Sequence, residues 1–344
     1  MGGLDRVKVG LVGCGYVSQF HLRAWQRIDN VDLVAVSDKD EKKAQGRASE
    51  FNIPEVYIDY RRMLDEAGID VLDIATPPEI HLEMAEEAAQ RGIHVLCQKP
   101  LAPSMEEAKR IVNACDEYGV RLMVNENWRW RIWYQEIKKL LDEGMIGEVF
   151  YCHINGRSSS AVPTYKGPRP FQKQPYFASM PRLILYENMI HLIDVCRFLF
   201  GECQSVYAQM RRINKVSVGE DMASLMLNMG RVLAIVERSW CSKGYPSSLN
   251  TEKMEIEGER GTIFLDEQGR IRVVIDEEDG REDIWPEYDI GDFYIDSYIK
   301  CQSHFIDSLL TGKEFQTSGR DNLKTLEITL RGYESAEKNQ VIYL

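Results

Sequence analysis

The stretch Val7-Lys-Val-Gly-Leu-Val-Gly13-Cys-Gly15-Tyr-Val-Ser18 decides the fold of this chain. A run rich in valine and leucine ends at Gly13, and the residues after it open a helix. Val17, Phe20, Ala24, Trp25 and Ile28 share one apolar stripe of that helix. Strand, glycine turn and helix in direct succession form the context in which such glycines are informative. Gly13 permits the tight turn, and Gly15, with Tyr16 and Val17 beside it, lets backbone amides approach a pyrophosphate at the positive end of the helix. Ser18 stands where a third small residue belongs. Asp38 follows the second apolar run, where a carboxylate accepts a ribose 2′-hydroxyl and repels a 2′-phosphate. That selects NAD over NADP, with Lys39 next door working against the preference.

Working outward, short β-branched runs alternate with segments of helical period as far as about Asn125. Val31–Ser37, Val71–Ala75, His94–Cys97 and Arg121–Val124 read as further strands, and Lys39–Phe51, Ile80–Arg91 and Met105–Tyr118 as helices. This is the pattern of a doubly wound parallel sheet, an α/β fold. Beyond a helix at Trp133–Glu143 and the turn Gly144-Met-Ile-Gly147 the texture changes. Glu148–Asn155, Gln204–Ile213, Met222–Met229, Arg231–Trp240, Glu252–Gly258, Gly261–Leu265 and Arg270–Ile275 read as an antiparallel meander. One helix at Glu187–Phe200 interrupts it, and helices at Ser297–Leu310 and Asp321–Lys338 follow. The expected division is residues 1–125 and 126–344, the last helix packing back on the first domain.

Composition agrees with two domains, since single cores stop growing at about 250–300 residues and this chain has 344. The formal net charge of −12 opposes attraction to nucleic acid and to anionic membranes, so neither is an expected partner, although the sign alone does not exclude them. No two of the eight cysteines have zinc-knuckle spacing. There is no apolar leader pattern and no run of about 18 apolar residues, so a cytoplasmic protein with reduced cysteines is expected.

Thr76-Pro77 with His81, and Gln98-Lys99-Pro100, fall at the carboxyl ends of the third and fourth of these strands, the edge where open α/β sheets bind ligands. Lys99 is also readable as a solvated loop lysine, and His81 as a structural histidine. At these residues the chain resembles the Gfo/Idh/MocA oxidoreductases, the group named for glucose-fructose oxidoreductase and inositol dehydrogenase. The resemblance spans the glycine turn, Thr76-Pro77 with His81, Lys99-Pro100, Gly144-Met-Ile-Gly147 and the helix bearing His191. It implies an N-terminal NAD-binding Rossmann domain and a C-terminal α+β domain with an open, mainly antiparallel sheet, through which a homodimer or homotetramer forms. It also implies substrate between the domains and hydride exchange with a secondary hydroxyl carbon of a sugar or polyol.

The family's Glu-Lys-Pro is Gln98-Lys99-Pro100 here, which removes a negative charge beside Lys99. The family's aspartate four residues before a histidine is Glu187 before His191, with Asp194 beyond. On an α-helix those three positions fall within about 60° of one another. The resemblance assigns catalysis to Lys99, His191 and Glu187, with Asn188 beside them as a substrate contact. Thr76, Pro77, His81, Gln98, Lys99 and Asn127 join the glycine turn and Asp38 as cofactor contacts. Trp128 and Arg129 are expected to meet the substrate. A metal site of Glu187, His191 and Asp194, or a structural polar network, are the alternatives for that helix; the reading taken has no metal.

Residues 149–186 contain no acid, yet carry Arg157, Lys166, Arg169, Lys173 and Arg182, with prolines at 163, 168, 170, 175 and 181. Either Arg157 and its neighbours select an anionic substrate such as a sugar acid, or the loop docks on the acidic stretch Asp276–Asp279 with Glu282 and Asp283. Two further functions stay open: a redox-assisted lyase or glycosidase that keeps its NAD bound, and a non-catalytic NAD-binding sensor.

Overall fold

The computed structural model describes residues 6–162, 170–247, 252–277 and 280–344. Lys166, Arg169, Glu278 and Asp279 lie outside the described residues. In chain order the first elements are β1 (Val7–Val12), α1 (Ser18–Trp25), β2 (Val31–Ser37), α2 (Glu41–Phe51), β3 (Glu55–Tyr57), α3 (Tyr60–Glu66), β4 (Val71–Ile74), α4 (His81–Gln90), β5 (His94–Gln98), α5 (Met105–Glu117) and β6 (Leu122–Asn125). Then come α6 (Ile132–Asp142), β7 (Val149–Arg157), α7 (Ile190–Phe200), β8 (Ser205–Arg211), β9 (Met222–Met229), β10 (Val232–Ser239) and β11 (Glu252–Gly258). The chain closes with β12 (Gly261–Leu265), β13 (Ile271–Glu277), β14 (Gly280–Ile284), α8 (Phe293–Thr311), α9 (Gly319–Lys338) and β15 (Ile342–Tyr343).

The chain divides into two compact units, Met1–Trp130 with Asp292–Leu326, and Arg131–Gly291 with Glu327–Leu344. The first holds a six-stranded parallel sheet of order β3-β2-β1-β4-β5-β6. Strands β4, β5 and β6 are buried almost throughout, as expected where helices cover both faces of a parallel sheet. Asp40 caps α2 by accepting from the amides of Lys42 and Lys43, and Ser104 caps α5 through Glu107. The unit takes in residues 292–326 as well, where the sequence reading places its end at 125. The reason is packing: Cys301, Phe305 and Ile306 of α8 share one core cluster with Val9, Trp25, Val71 and Leu96.

The second unit holds a nine-stranded sheet of order β14-β13-β12-β11-β7-β10-β9-β8-β15. It is mainly antiparallel but not a meander. β10 runs parallel to β7, pairing Leu233 with Tyr151 and Ser239 with Arg157, and this puts β7 at the centre. Parallel neighbours need a crossover, and the connection through α7, β8 and β9 supplies it.

Residues Glu187–Phe200 are not one α-helix. A π-helical segment, Ile184–Met189, leads into α7. Its first amides are satisfied from outside: Leu183 and Leu185 donate to Glu220 Oε1, each at 3.1 Å, and Ile184 donates to the Glu220 carbonyl. The Tyr333 hydroxyl of α9 donates to the same carboxylate oxygen at 2.6 Å and accepts from the Tyr186 amide at 3.2 Å. Gly332 lets α9 lie close, since a Cβ there would stand 3.0 Å from Leu185 Cδ2. Tyr333→Phe keeps the shape and removes both hydrogen bonds of the hydroxyl, so a loss of about 1–3 kcal/mol in urea unfolding is expected. A change below about 0.5 kcal/mol would show that the hydroxyl does not hold this turn.

Candidate active site

The turn after β1 is built as its sequence requires. Gly13 has φ +96°, and a Cβ there would stand 2.6 Å from the Ala75 carbonyl oxygen, so only glycine fits. A Cβ on Gly15 would meet no protein atom within 4 Å, so protein packing does not account for that glycine, whereas a close-lying dinucleotide does. Tyr16 turns its ring edge to Phe20, Val17 precedes α1, and Ser18 Oγ donates back to the Gly15 carbonyl at 2.7 Å. Asp38 stands beside the turn, accepting from the Cys14 amide at 2.8 Å and the Asp40 amide at 2.9 Å. Its oxygens retain lone pairs for ribose hydroxyls. Burial, with Asp38 adding to it, pushes the neighbouring Cys14 thiol up to about 12, which leaves no thiolate to compete there. The residues present therefore fit NAD.

One contact near this turn is absent from the sequence reading. Arg47 of α2 donates to Ser18 Oγ at 3.1 Å and to the Gly15 carbonyl at 3.0 Å, tying the second helix to the first turn. Nothing in the spacing of a lysine- and arginine-bearing helix marks which cation does this.

At the carboxyl ends of β4 and β5, His81 is fully buried. Its ring nitrogens stand 2.9 Å from the Thr76 carbonyl and 3.1 Å from that of Leu101, so it staples the two loops together. Burial pushes its pKa down, against the pull of those carbonyls. The His81 side chain thus holds the Thr76-Pro77 loop against the Leu101 carbonyl. Gln98 ends β5, and the Lys99 amide donates to its Oε1 at 2.7 Å; the Lys99–Pro100 peptide is cis.

Beyond β6, Asn127 and Arg129 are also committed inside their own unit. Asn127 Nδ2 donates to Ser297 Oγ at 2.7 Å, while Arg129 donates to the Gln316 carbonyl at 3.2 Å and stands 3.6 Å from Asp321. Trp128 is 2% exposed.

In the second unit, Glu187 and Asn188 lie in the π-helical segment and His191 in the first turn of α7. The 100° step that places Glu187, His191 and Asp194 within about 60° holds only within α7, so it relates His191 to Asp194 and does not extend to Glu187. His191 is 5% exposed and Asp194 fully buried. Asn188 Oδ1 is one of the buried side-chain acceptors among the described residues that have no hydrogen-bond partner. Among the described residues, no group of three or more His, Cys, Asp or Glu side chains is gathered as a metal site.

The cationic segment divides. Arg157 pairs with Glu237 at 3.2 Å, and the Arg182 guanidinium lies 5.7 Å from the Tyr186 ring and 5.8 Å from that of Tyr333. In the acidic stretch proposed to receive the loop, Asp283 is held by Arg272 and Arg281.

The chain matches the model of the oxidoreductase family with an NAD-binding Rossmann fold over residues 7–126, and that of the GFO/IDH/MocA C-terminal domain over residues 134–264. It is 34% identical to a D-apiose dehydrogenase of Paraburkholderia graminis, over 99% of this chain and 90% of that one. It is 26% identical to an inositol 2-dehydrogenase of Rhizobium meliloti, over 97% of this chain and 98% of the relative. A solved oxidoreductase from Agrobacterium radiobacter in complex with NAD+, L-tartaric acid and magnesium superposes with a TM-score of 0.90 at 31% identity, covering 98% of each chain. These matches and the turn around Gly13 lead to one conclusion: the chain belongs to the Gfo/Idh/MocA family and is an NAD-dependent oxidoreductase of the dehydrogenase type.

Proposed function

We propose that this chain oxidises a secondary hydroxyl of a sugar or polyol, with Lys99 and His191 carrying the proton chemistry. The observation that carries the reading is the stranded Asn188 amide oxygen, three residues before His191. An unmet buried acceptor costs about 1–3 kcal/mol, and a polyhydroxylated ligand brings the missing O–H. Bound NAD supplies the hydride acceptor. Gly13, Gly15, Tyr16, Val17 and Asp38 hold its pyrophosphate and ribose, and Thr76, Pro77 and Gln98 shape the strand ends beside it. His191 takes the hydroxyl proton, since histidine titrates near neutral pH. Lys99 hydrogen-bonds the reacting oxygen and relays the proton, while Glu187 and Asn188 hold neighbouring hydroxyls. Asn127 and Arg129 act through the framework, given the partners described above. In the reductive direction the same groups serve as acids.

A small neutral sugar is the first substrate class to try. The relative named D-apiose dehydrogenase supports it, and so does the pairing of Arg157 with Glu237, which takes one cation away from an anionic ligand. A cytoplasmic location is supported by the eight cysteines, which form no disulfide. Among the described residues no helix is long and apolar enough to cross a membrane.

The test is NADH accumulation, read by absorbance, over a panel of neutral aldoses including D-apiose, polyols and sugar acids. Lys99→Ala and His191→Ala are each expected to lower kcat by about 10²–10⁴-fold. Turnover without net NADH would replace this reading with the redox-assisted lyase. Bound NAD with no turnover, and unchanged biological activity in Lys99→Ala, would replace it with the sensor.

The assembly proposed is a homodimer or homotetramer through the outward face of the nine-stranded sheet. There Tyr151 pairs beside Leu233, and Ile235 lies between His153 and Met226. Met226 is 46% and Leu233 40% exposed, an apolar patch of the kind that marks an interface. The double variant Met226→Lys with Leu233→Lys is expected to sediment as a smaller species than the parent. A parent chain that already sediments as a monomer sinks the assembly.

A further inference from the structure

A row of buried polar groups leads up to Lys99 from residues that the proposed mechanism leaves without a role, and every link in it has a direction. Asp73 of β4 and His21 of α1 are both fully buried. Trp25 Nε1 donates to Asp73 Oδ2 at 2.7 Å, and His21 Nδ1 stands 3.0 and 2.9 Å from the two oxygens of the same carboxylate. A carboxylate only accepts, so the ring carries a hydrogen on Nδ1, and a donor facing Nε2 requires a lone pair there. Gln98 Nε2 lies 3.2 Å from that second nitrogen, and an amide nitrogen only donates. The Gln98 amide is thereby oriented with Oε1 on its far side, where it accepts the Lys99 amide hydrogen at 2.7 Å. Gln98 also meets the hydroxyl of Tyr298, which burial keeps protonated. Asn125 Nδ2 stands 3.3 and 3.5 Å from the two ring nitrogens and so cannot lie in line with both.

Reversing any link sets donor against donor or acceptor against acceptor. If the ring hydrogen moved to Nε2, it would face the Gln98 NH₂. Turning that amide over would bring the NH₂ against the Lys99 N–H instead. The single charge at Asp73 thus sets the sense of the whole row.

We propose that Asp73 and His21 are positioning residues for Lys99, acting through Gln98, and that Gln98 is the partner this histidine tautomer requires. The family's glutamate at position 98 would present an acceptor to the Nε2 lone pair. Glutamine presents a donor there and still offers an acceptor to Lys99. Holding the backbone at Lys99 aims its side chain, as outer partners aim the ligands of other sites, where their loss typically costs about 10–100-fold.

The proposal rests on the reading of Lys99 as a catalytic residue, and the test separates the two. Asp73→Asn preserves shape but offers an N–H to His21 Nδ1, which moves the ring hydrogen to Nε2 and breaks the row at Gln98, as the corresponding change does in serine proteases. Adding Gln98→Glu restores a complete row running the other way. The amide introduced at position 73 donates to Nδ1, Nε2–H donates to the carboxylate introduced at position 98, and that carboxylate accepts from the Lys99 amide and the Tyr298 hydroxyl. In the full-length enzyme, Asp73→Asn should lower kcat by about 10–100-fold with KM for NAD changed by less than about twofold. Asp73→Asn with Gln98→Glu should return kcat to within about threefold of the parent. ¹⁵N NMR of His21 should find the hydrogen on Nδ1 in the parent and on Nε2 in both variants.

An unchanged kcat in Asp73→Asn, or no recovery in the double variant, overturns the positioning role. A parent ring protonated on Nε2 overturns the direction of the row, and needs no variant to fold. If Lys99→Ala alone leaves activity intact, the catalytic reading of Lys99 fails, while the NMR result still decides the row.

Discussion

At Gly13 the turn after β1 passes so near the end of β4 that a single methyl group would stand 2.6 Å from the Ala75 carbonyl oxygen. That approach brings together the carboxyl ends of β1, β2 and β4. It lets the Cys14 amide reach Asp38, just past β2, and it sets the open space over Gly15 at the start of α1. The same strand ends carry Thr76 and, one strand further, Lys99. A side chain at Gly13 would push β1 and β4 apart or force the turn out of its left-handed backbone, and the loops stapled by His81 would move with it. The cofactor reading and the placement of Lys99 thus depend on one missing Cβ.

Both units are organised around carboxylates met by several donors, Asp73 and Glu252 buried and Glu220 partly exposed. Asp73 has Trp25 and His21; Glu220 has two amides and the Tyr333 hydroxyl; Glu252, 3% exposed, has Arg131, Arg238 and Tyr134. A buried charge is tolerable only with such partners, and removing one leaves the rest uncompensated. Gly156 makes the Glu252 cluster possible, because a Cβ there would come too close to Arg238 Nη1 for both to fit. This gives a reason for β7 to run on through Gly156 to Arg157, past the Asn155 at which its alternating pattern ends.

What is legible in the sequence follows from what is local. The strands Val7–Val12, Val31–Ser37 and Met222–Met229 can be read to the residue, because each is a run of suitable side chains between turn residues. β3 and α3 escape such a reading: three residues carry no period, and Glu55-Val-Tyr57 is bounded by no glycine or proline turn of its own beyond Pro54. The edge strand β14, Gly280-Arg-Glu-Asp-Ile284, has no apolar face to announce it. The stripe of α8 shows that one face is buried but not that Trp25 and Leu96 bury it. The sense of β10 against β7 is likewise a long-range property. In the site, the glycine turn, Asp38 and Lys99 are visible as motifs. Glu220, Tyr333 and the His21 to Asp73 contact are not, since they join residues far apart in sequence. The commitment of His81, Asn127 and Arg129 to partners in their own unit is hidden for the same reason.

The π-helical segment is invisible in the sequence because an α-helix and a π-turn bury the same kinds of side chain, and only the hydrogen bonds distinguish them. Those bonds bear on the two departures from the family pattern, Gln98 and Glu187. A site losing its function accumulates changes whose neighbours no longer fit. Gln98 instead donates to His21 and accepts from Lys99, each atom used in the sense that its chemistry allows. Glu187 sits in a turn whose opening amides are capped by Glu220 and Tyr333, where a widened backbone changes the reach demanded of a carboxylate. Gln98 thus fits its neighbours, and this weighs against the sensor and for a working dehydrogenase.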